Sequence, residues 1–153
     1  SLILMDTGAE AIGRALSDTL PPVVALGREQ GMSAVFTLGR EMMAGGLRGD
    51  DIRRAELLGR IEEKYGQLDV EAFSAFGEEL GRYPSLVDRL GEIGCPTTVL
   101  VGEEDTALRG SADVLAERIP GAELVVLPGG HSPQEDDPEA WLAAVEAHLS
   151  RVA

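Results

Sequence analysis

The sequence predicts an α/β fold in which a small parallel sheet is flanked by helices and interrupted by a long helical insertion. Three short apolar runs, at residues 2–6, 96–102 and 123–127, have the length and composition of strands buried on both faces. Residues 9–93 show helical spacing throughout. One helix pattern separates the second and third runs, which is the order of a parallel βαβ unit.

The first strand, Leu2 to Asp6, is an apolar run that Thr7 and Gly8 end. It begins one residue into the sequence, so no preceding residues could cover its edge or its faces. Open edges and bare apolar faces are liabilities in a folded protein. We therefore expect a missing N-terminal half to pair with this strand, or self-association through it.

Helices are predicted throughout residues 9–93. Pro21 and Pro22 predict the start of a helix that follows them, because Pro is favoured in the first turn. Asp50 or Asp51 is expected to cap another helix. The remaining apolar stripes are Ala11, Ile12, Ala15 and Leu16; Met32 to Met43; Val70, Phe73, Phe76 and Leu80; and Leu86, Leu90 and Ile93.

The segment 96–131 is where we place the chemistry. It reads as a strand from Pro96 to Gly102, an acidic turn, a helix from Ala107 to Ile119, a strand from Glu123 to Leu127, and a Gly-Gly-His loop. Asp105 and His131 then lie beyond the carboxyl ends of two parallel strands. Open α/β sheets keep their functional sites at that edge.

The last helix is predicted to begin at Asp137, a good N-cap, with Pro138 in its first turn. Its inner face is expected to consist of Trp141, Leu142, Val145 and Leu149. His148 is then expected on the outer side, near the carboxyl end of the helix, where a cation suits the helix dipole.

Composition excludes several classes of function. The 153 residues include 27 acidic and 13 basic side chains, so nucleic acid and anionic membrane surfaces would repel the chain. The single Cys excludes an internal disulfide, no apolar run is long enough to cross a membrane, and no signal-peptide pattern is present. We expect a cytoplasmic protein with no nucleic acid and no membrane as a partner.

Three segments carry a family resemblance: Ile93 to Asp105, Pro128 to His131, and Glu135 to Trp141. Together they resemble the C-terminal half of an α/β-hydrolase. The resemblance implies a three-stranded parallel portion of the hydrolase sheet, formed by residues 1–8 and 94–153, and an inserted all-helical cap at residues 9–93. It also implies that Asp105 is the acid and His131 the base of a catalytic triad.

The chain departs from the family at the nucleophile. The family places it in a G-x-S-x-G elbow between a strand and a helix, ahead of the acid and the His. The nearest string here, Gly31 to Val35, lacks the second Gly and follows no strand. The oxyanion donors of the fold also belong upstream of residue 1. Because loss of the nucleophile costs on the order of 10⁶ in kcat, we expect this chain to be inactive alone.

The residue types suit the implied roles. An imidazole can take up and return a proton near neutral pH if a carboxylate fixes its tautomer and stabilises the imidazolium. The structural alternative for Glu103 to Asp105 is a solvated acidic turn, and for His131 a hydrogen bond to backbone. The acidic run Glu135 to Asp137 is better explained by helix capping than by a metal, and no His or Cys spacing supports zinc. No cofactor or metal is predicted.

A substrate pocket is a weaker prediction. Large apolar side chains in the helical segment could line an acyl or aromatic pocket under a lid, although packing inside a helical core is the commoner cause of such stripes. These side chains are Met32, Phe36, Met42, Met43, Phe73 and Phe76.

Three functions remain open. The chain could be the C-terminal portion of a carboxylic-ester hydrolase that acts on a small-molecule ester once its upstream half is supplied. It could be a non-catalytic homodimer that pairs through its first strand. Its parent could also use an Asp nucleophile, as dehalogenases and epoxide hydrolases do.

Overall fold

The computed structural model describes residues 1–10, 14–46 and 50–153, with side chains at residues 1–10, 19–41 and 50–153. The elements in order are β1 (Leu2–Met5), α1 (Arg14–Gln30), α2 (Met32–Gly46), α3 (Asp51–Gly66), α4 (Val70–Arg82), a 3₁₀ helix (Val87–Glu92), β2 (Thr97–Gly102), α5 (Arg109–Arg118), β3 (Glu123–Leu127), α6 (Pro133–Asp136) and α7 (Pro138–Val152). The predicted residues Ala11 and Ile12, and the side chains of Ala15 and Leu16, lie outside the described part.

The sheet has the strand order β1-β2-β3, and both pairings are parallel. Met5 lies opposite Leu100, and Gly102 lies opposite Leu127. Every residue of β2 is buried, as the apolar run predicts for a central strand. The predicted α/β class with three parallel strands is confirmed.

The core of the sheet unit lies on one face of β2. Val99 and Val101 point to that face, since side chains alternate along a strand, and they pack against α5 and the 3₁₀ helix. The buried cluster comprises Ala9, Leu90, Val99, Val101, Ala112, Leu115 and Ile119.

The chain divides into two compact units, one of Ser1–Ala9 with Ser85–Ala153 and one of Glu10–Pro84. Residues 85–93, which the sequence analysis assigned to the helical cap, therefore pack with the sheet. Leu90 belongs to the core cluster there, and the backbone N–H of Leu86 donates to the Ala9 carbonyl at 2.7 Å.

The helical unit contains α1 to α4. Phe36 packs on Tyr65 with ring centroids 5.8 Å apart. Asp50 caps α3 by accepting from the Arg53 N–H at 2.9 Å, as one of the two predicted alternatives required. Within the described ranges no helix combines the length and apolar character that a membrane-spanning segment needs.

The prediction that Pro21 and Pro22 start a helix was wrong. Both lie inside α1, which begins at Arg14. Their rings are exposed, while α1 packs on α4 next to them, with Leu20 against Gly77. This contact offsets the hydrogen bonds that two prolines remove from the helix.

The predicted inner face of α7 was also wrong in part. His148 is 1% exposed, whereas Leu142 and Leu149 are 49% and 54% exposed. The His148 Nδ1 lies 2.8 Å from the Thr98 hydroxyl on β2. The hydrogen bond to a polar residue on the facing strand thus favours burial of His148 over burial of the leucines.

A glycine of β2 generates a prediction about stability. A Cβ at Gly102 would lie 2.6 Å from the Gly129 carbonyl oxygen and closer still to that of Gly130. Backbone atoms cannot move aside cheaply, so we expect Gly102→Ala to destabilise the fold by about 3 kcal/mol or more.

Urea denaturation followed by circular dichroism measures this loss. Gly110→Ala is the matched control, because a Cβ there meets nothing within 4 Å and a helical Ala stabilises by about 0.5–1 kcal/mol relative to Gly. Equal stability of the two variants would contradict the close approach at Gly102.

Candidate active site

The Asp105 side chain is fixed at the carboxyl end of β2. Its Oδ1 accepts hydrogen bonds from the N–H groups of Ala107 and Leu108, both at 3.1 Å. The residue is 4% exposed. A carboxylate held by two backbone donors in this way has one orientation, so its second oxygen points in a defined direction.

That second oxygen meets His131. The His131 Nδ1 lies 2.8 Å from Asp105 Oδ2. The His131 side chain is 66% exposed, whereas the Asp105 side chain is 3% exposed. The structure thus brings together the two residues that the sequence singled out, as a buried carboxylate bound to an accessible imidazole.

Two hydrogen bonds hold the loop that carries His131 in place. The Glu104 N–H donates to the Gly129 carbonyl at 3.0 Å, which joins the acidic turn to the loop. Asp136 Oδ2 accepts from the Gly130 N–H at 2.8 Å. Gly129 has φ +112°, a backbone conformation that favours glycine. Asp136, taken from sequence as a capping or solvated residue, is therefore a support of the His loop.

A third charged group completes the cluster. Asp6, the residue after β1, has φ +44° and donates its N–H to the Leu100 carbonyl at 3.2 Å. One carboxylate oxygen of Asp6, one of Asp105 and a ring nitrogen of His131 lie within 4.8 Å of one another. Both Asp6 carboxylate oxygens are buried and lack a hydrogen-bond partner within the described part of the chain.

Burial raises the pKa of Asp6 from 3.8 to about 6. His131 as a cation and the nearby Gly102 N–H lower the pKa, although this N–H does not reach hydrogen-bond geometry with either oxygen. The negative charges of Asp105 and Asp136 raise it. A carboxyl group with this pKa changes its charge close to neutral pH.

Sequence reasoning missed Asp6. It treated the residue as the end of the first strand, yet the rule that selected Asp105 and His131 applies to it equally, because β1 is parallel to β2 and ends at the same edge of the sheet. The strand-terminal position of an acidic residue was therefore a usable signal.

A sequence model described as the alpha/beta hydrolase family matches residues 2–145. The chain belongs to the alpha/beta hydrolase family. The resemblance found in the sequence is thereby confirmed. No curated protein sequence matches this hydrolase chain significantly.

Solved hydrolases share its fold. A thermophilic esterase from Thermogutta terrifontis superposes with a TM-score of 0.81 at 27% identity, and the match covers 98% of this chain and 55% of the esterase. The enol-lactonase from Burkholderia xenovorans LB400 gives a TM-score of 0.78 at 22% identity, covering 97% and 55%. A hydrolase from Pseudomonas aeruginosa PA01 gives 0.74 at 22%, covering 96% and 54%. The chain spans just over half the length of these relatives.

The spacing of Asp6, Asp105 and His131 would also allow one ligand atom from each to reach a common cation. In this hydrolase chain, however, Asp105 already accepts two backbone hydrogen bonds and contacts His131. Both oxygens of Asp105 are therefore already engaged by groups of the chain.

The predicted pocket residues of this alpha/beta hydrolase lie in varied surroundings. Met32 and Phe36 are buried in the helical unit, Phe73 is half-buried, and Phe76 is 66% exposed. The side chains of Met42 and Met43 lie outside the described residues. A cavity of about 380 Å³ between α1 and α4 is lined by Leu20, Pro21, Val24, Arg28, Ser74, Gly77, Glu78 and Arg82. None of the four described candidates lines it, so their role at a substrate stays a prediction.

The raised pKa of Asp6 predicts that Asp6→Asn stabilises the hydrolase chain above pH 6. A raised folded-state pKa means that stability present below the unfolded value, 3.8, is lost as the pH rises through about 6. Two pH units correspond to about 3 kcal/mol, which partial exposure of the group reduces to about 1 kcal/mol.

Urea denaturation at pH 4, 5 and 7.5 tests this expectation. The difference in the free energy of unfolding between Asp6→Asn and wild type should be small at pH 4 and reach its full value at pH 7.5. Asn accepts a positive φ at least as well as Asp, so backbone strain does not confuse the result. The exposed Glu103→Gln is the control, and a difference at Asp6 that does not vary with pH would refute the expectation.

Proposed function

We propose that this chain supplies the acid and the base of an ester-hydrolysing site, with Asp105 as the acid and His131 as the base. The contact of 2.8 Å between His131 Nδ1 and Asp105 Oδ2 carries the proposal. It joins a carboxylate fixed by backbone donors to the imidazole of a His side chain that is mostly exposed.

The geometry supports a division of labour between the two residues. A carboxylate at Nδ1 holds the ring proton on that nitrogen, which leaves Nε2 free to accept the proton of a hydroxyl nucleophile. As that proton moves, an O–H bond breaks, an N–H bond forms, and Asp105 stabilises the resulting imidazolium. His131 then returns the proton to the leaving alkoxide.

The nucleophile and the oxyanion donors would come from a polypeptide segment other than residues 1–153. Ser33, in the nearest string to an elbow, is the second residue of α2 and follows Gly31 rather than a strand. Ser132 precedes α6, and its carbonyl rather than its hydroxyl accepts from N–H groups of that helix. Neither has the strand-to-helix turn that exposes a nucleophile in this family.

The relatives favour an ester substrate over the substrates of enzymes that use an Asp nucleophile. The structure with 27% identity is described as an esterase, and the fold is shared with a protein described as an enol-lactonase. Both descriptions name enzymes of ester or lactone chemistry. We therefore place the small-molecule substrate in the carboxylic-ester class.

A fusion enzyme tests this function. The N-terminal portion of the Thermogutta terrifontis esterase that lies outside the match would be joined to Ser1. We expect the fusion to hydrolyse 4-nitrophenyl acetate and the isolated chain not to do so. His131→Ala should lower kcat of the fusion by about 10⁴-fold, because the triad acts as a unit.

Two controls accompany the fusion. Glu103→Gln changes an exposed neighbour of the acid. It should leave kcat of the fusion within about twofold of the parent, because substitutions at exposed positions outside a site have small effects. Turnover by the isolated chain above that of its own His131→Ala variant would contradict the proposal. So would a folded, active fusion that is insensitive to His131→Ala.

A second candidate function, a non-catalytic homodimer, is favoured by the open side of β1. The described strands place β1 at the edge of the sheet, with β2 on one side. The N–H groups of Leu2 and Asp6 donate to the Pro96 and Leu100 carbonyls. Since donors alternate along a strand, the N–H groups of Ile3 and Met5 point to the open side.

Light scattering at micromolar concentration tests this candidate. A homodimer has twice the chain mass of 16.2 kDa, and Ile3→Pro should convert it to the monomer, because Pro removes a donor from the open side alone. Ile3→Val keeps that donor and serves as the control. A wild-type chain that is monomeric in this measurement excludes pairing through β1.

A further inference from the structure

The negative charge of Asp6 contributes nothing to the stability of the fold. The two carboxylate oxygens of this residue are buried and find no hydrogen-bond partner among the residues that the structure describes, and burial raises its pKa to about 6. Such a group destabilises the folded chain when it is ionised. An amide of the same shape would satisfy the positive φ of this position equally well. Stability therefore gives no reason for a carboxylate here, and perturbed, unpaired carboxyl groups concentrate at functional sites.

The groups that face the Asp6 carboxylate are His131, Asp105 and Asp136. His131 in its cationic form favours ionised Asp6, whereas the two carboxylates oppose it. Coupling between two titrating groups is reciprocal. If the imidazolium stabilises the Asp6 anion, the Asp6 anion stabilises the imidazolium by the same free energy.

We propose that Asp6 is a second carboxylate of the His131 site, a positioning residue whose negative charge stabilises the imidazolium that Asp105 orients. The roles differ because the contacts differ. Asp105 contacts Nδ1 at 2.8 Å and is anchored by two backbone donors. Asp6 acts through charge at a distance of up to 4.8 Å and fixes no tautomer.

The proposal deepens the proposed function, since an imidazolium forms when His131 accepts a proton during turnover. With Asp6 ionised, two negative charges face one positive charge; with Asp6 protonated, the charge of Asp105 alone does so. The electrostatic stabilisation of the imidazolium formed during turnover therefore increases when Asp6 ionises.

Carboxyl ¹³C NMR of the 153-residue chain tests the coupling without any need for turnover. The Asp6 resonance should titrate with a midpoint near pH 6. His131→Gln removes the facing cation and should raise the midpoint, whereas Asp105→Asn removes a facing anion and should lower it, each by about half a pH unit or more. Asp113→Asn changes a carboxylate on α5 whose side chain is 47% exposed and bound to Arg109, and it should leave the midpoint unchanged.

Opposite displacements in the two variants are the signature of charge coupling, and a merely structural role would not produce them. Displacements in the same direction, or none beyond that of Asp113→Asn, overturn the proposal. If either variant changes the far-ultraviolet circular dichroism spectrum, the same titration with His131→Asn and Asp105→Ser decides.

The fusion enzyme gives the kinetic readout. Below pH 6 Asp6→Asn should match the parent, because protonated Asp6 and Asn are both neutral. Above pH 6 kcat of the variant should fall about three- to tenfold below the parent, with KM unchanged. A kcat ratio that is the same at all pH values overturns the inference.

The NMR titration and the kinetics of the fusion test this inference separately from the function on which it rests. An inactive fusion with coupled titrations defeats the proposed hydrolysis and leaves the charge coupling intact. An active fusion with uncoupled titrations keeps the hydrolysis and removes Asp6 from the site.

Discussion

The site depends on the parallel pairing of β2 with both of its neighbours. β1 ends opposite Leu100, while β2 continues for two residues to Gly102, which lies opposite Leu127 at the end of β3. Because the strands run in one direction, the three segments that follow them emerge at one edge of the sheet. Asp6, Asp105 and His131 each belong to one of those segments, and they meet only because that register is kept.

Environment separates the two aspartates of the cluster. Asp105 lies in a turn that offers two N–H donors and the ring of His131, so both of its carboxylate oxygens have a hydrogen-bond partner. Asp6 itself has the left-handed backbone conformation just after β1, and no donor among the described residues reaches its oxygens. The same side chain thus gives an anchored acid in one position and a group of variable charge in the other.

Local patterns were sufficient for the strands, for the βαβ order, and for placing Asp105 and His131 at one edge of the sheet, since these follow from apolar runs and from the direction of parallel strands. The contact between the two side chains required the structure. Local patterns were insufficient where packing overrides a local preference. Pro21 and Pro22 lie inside a helix because α1 packs on α4. His148 replaces the leucines on the inner face of α7 because Thr98 offers it a hydrogen bond. Asp6 had a usable signal in its strand-terminal position, and its distance to His131 shows that it belongs to the same cluster.

The chain contains two histidines, and the fold gives them opposite accessibility. His148 is 1% exposed beneath the sheet, while the side chain of His131 is 66% exposed at its edge. A reagent that acylates imidazole therefore encounters one of them in the folded chain and both after unfolding. This contrast makes His131 a site-specific chemical handle for spectroscopic labels, with the second histidine serving as an internal reporter of folding.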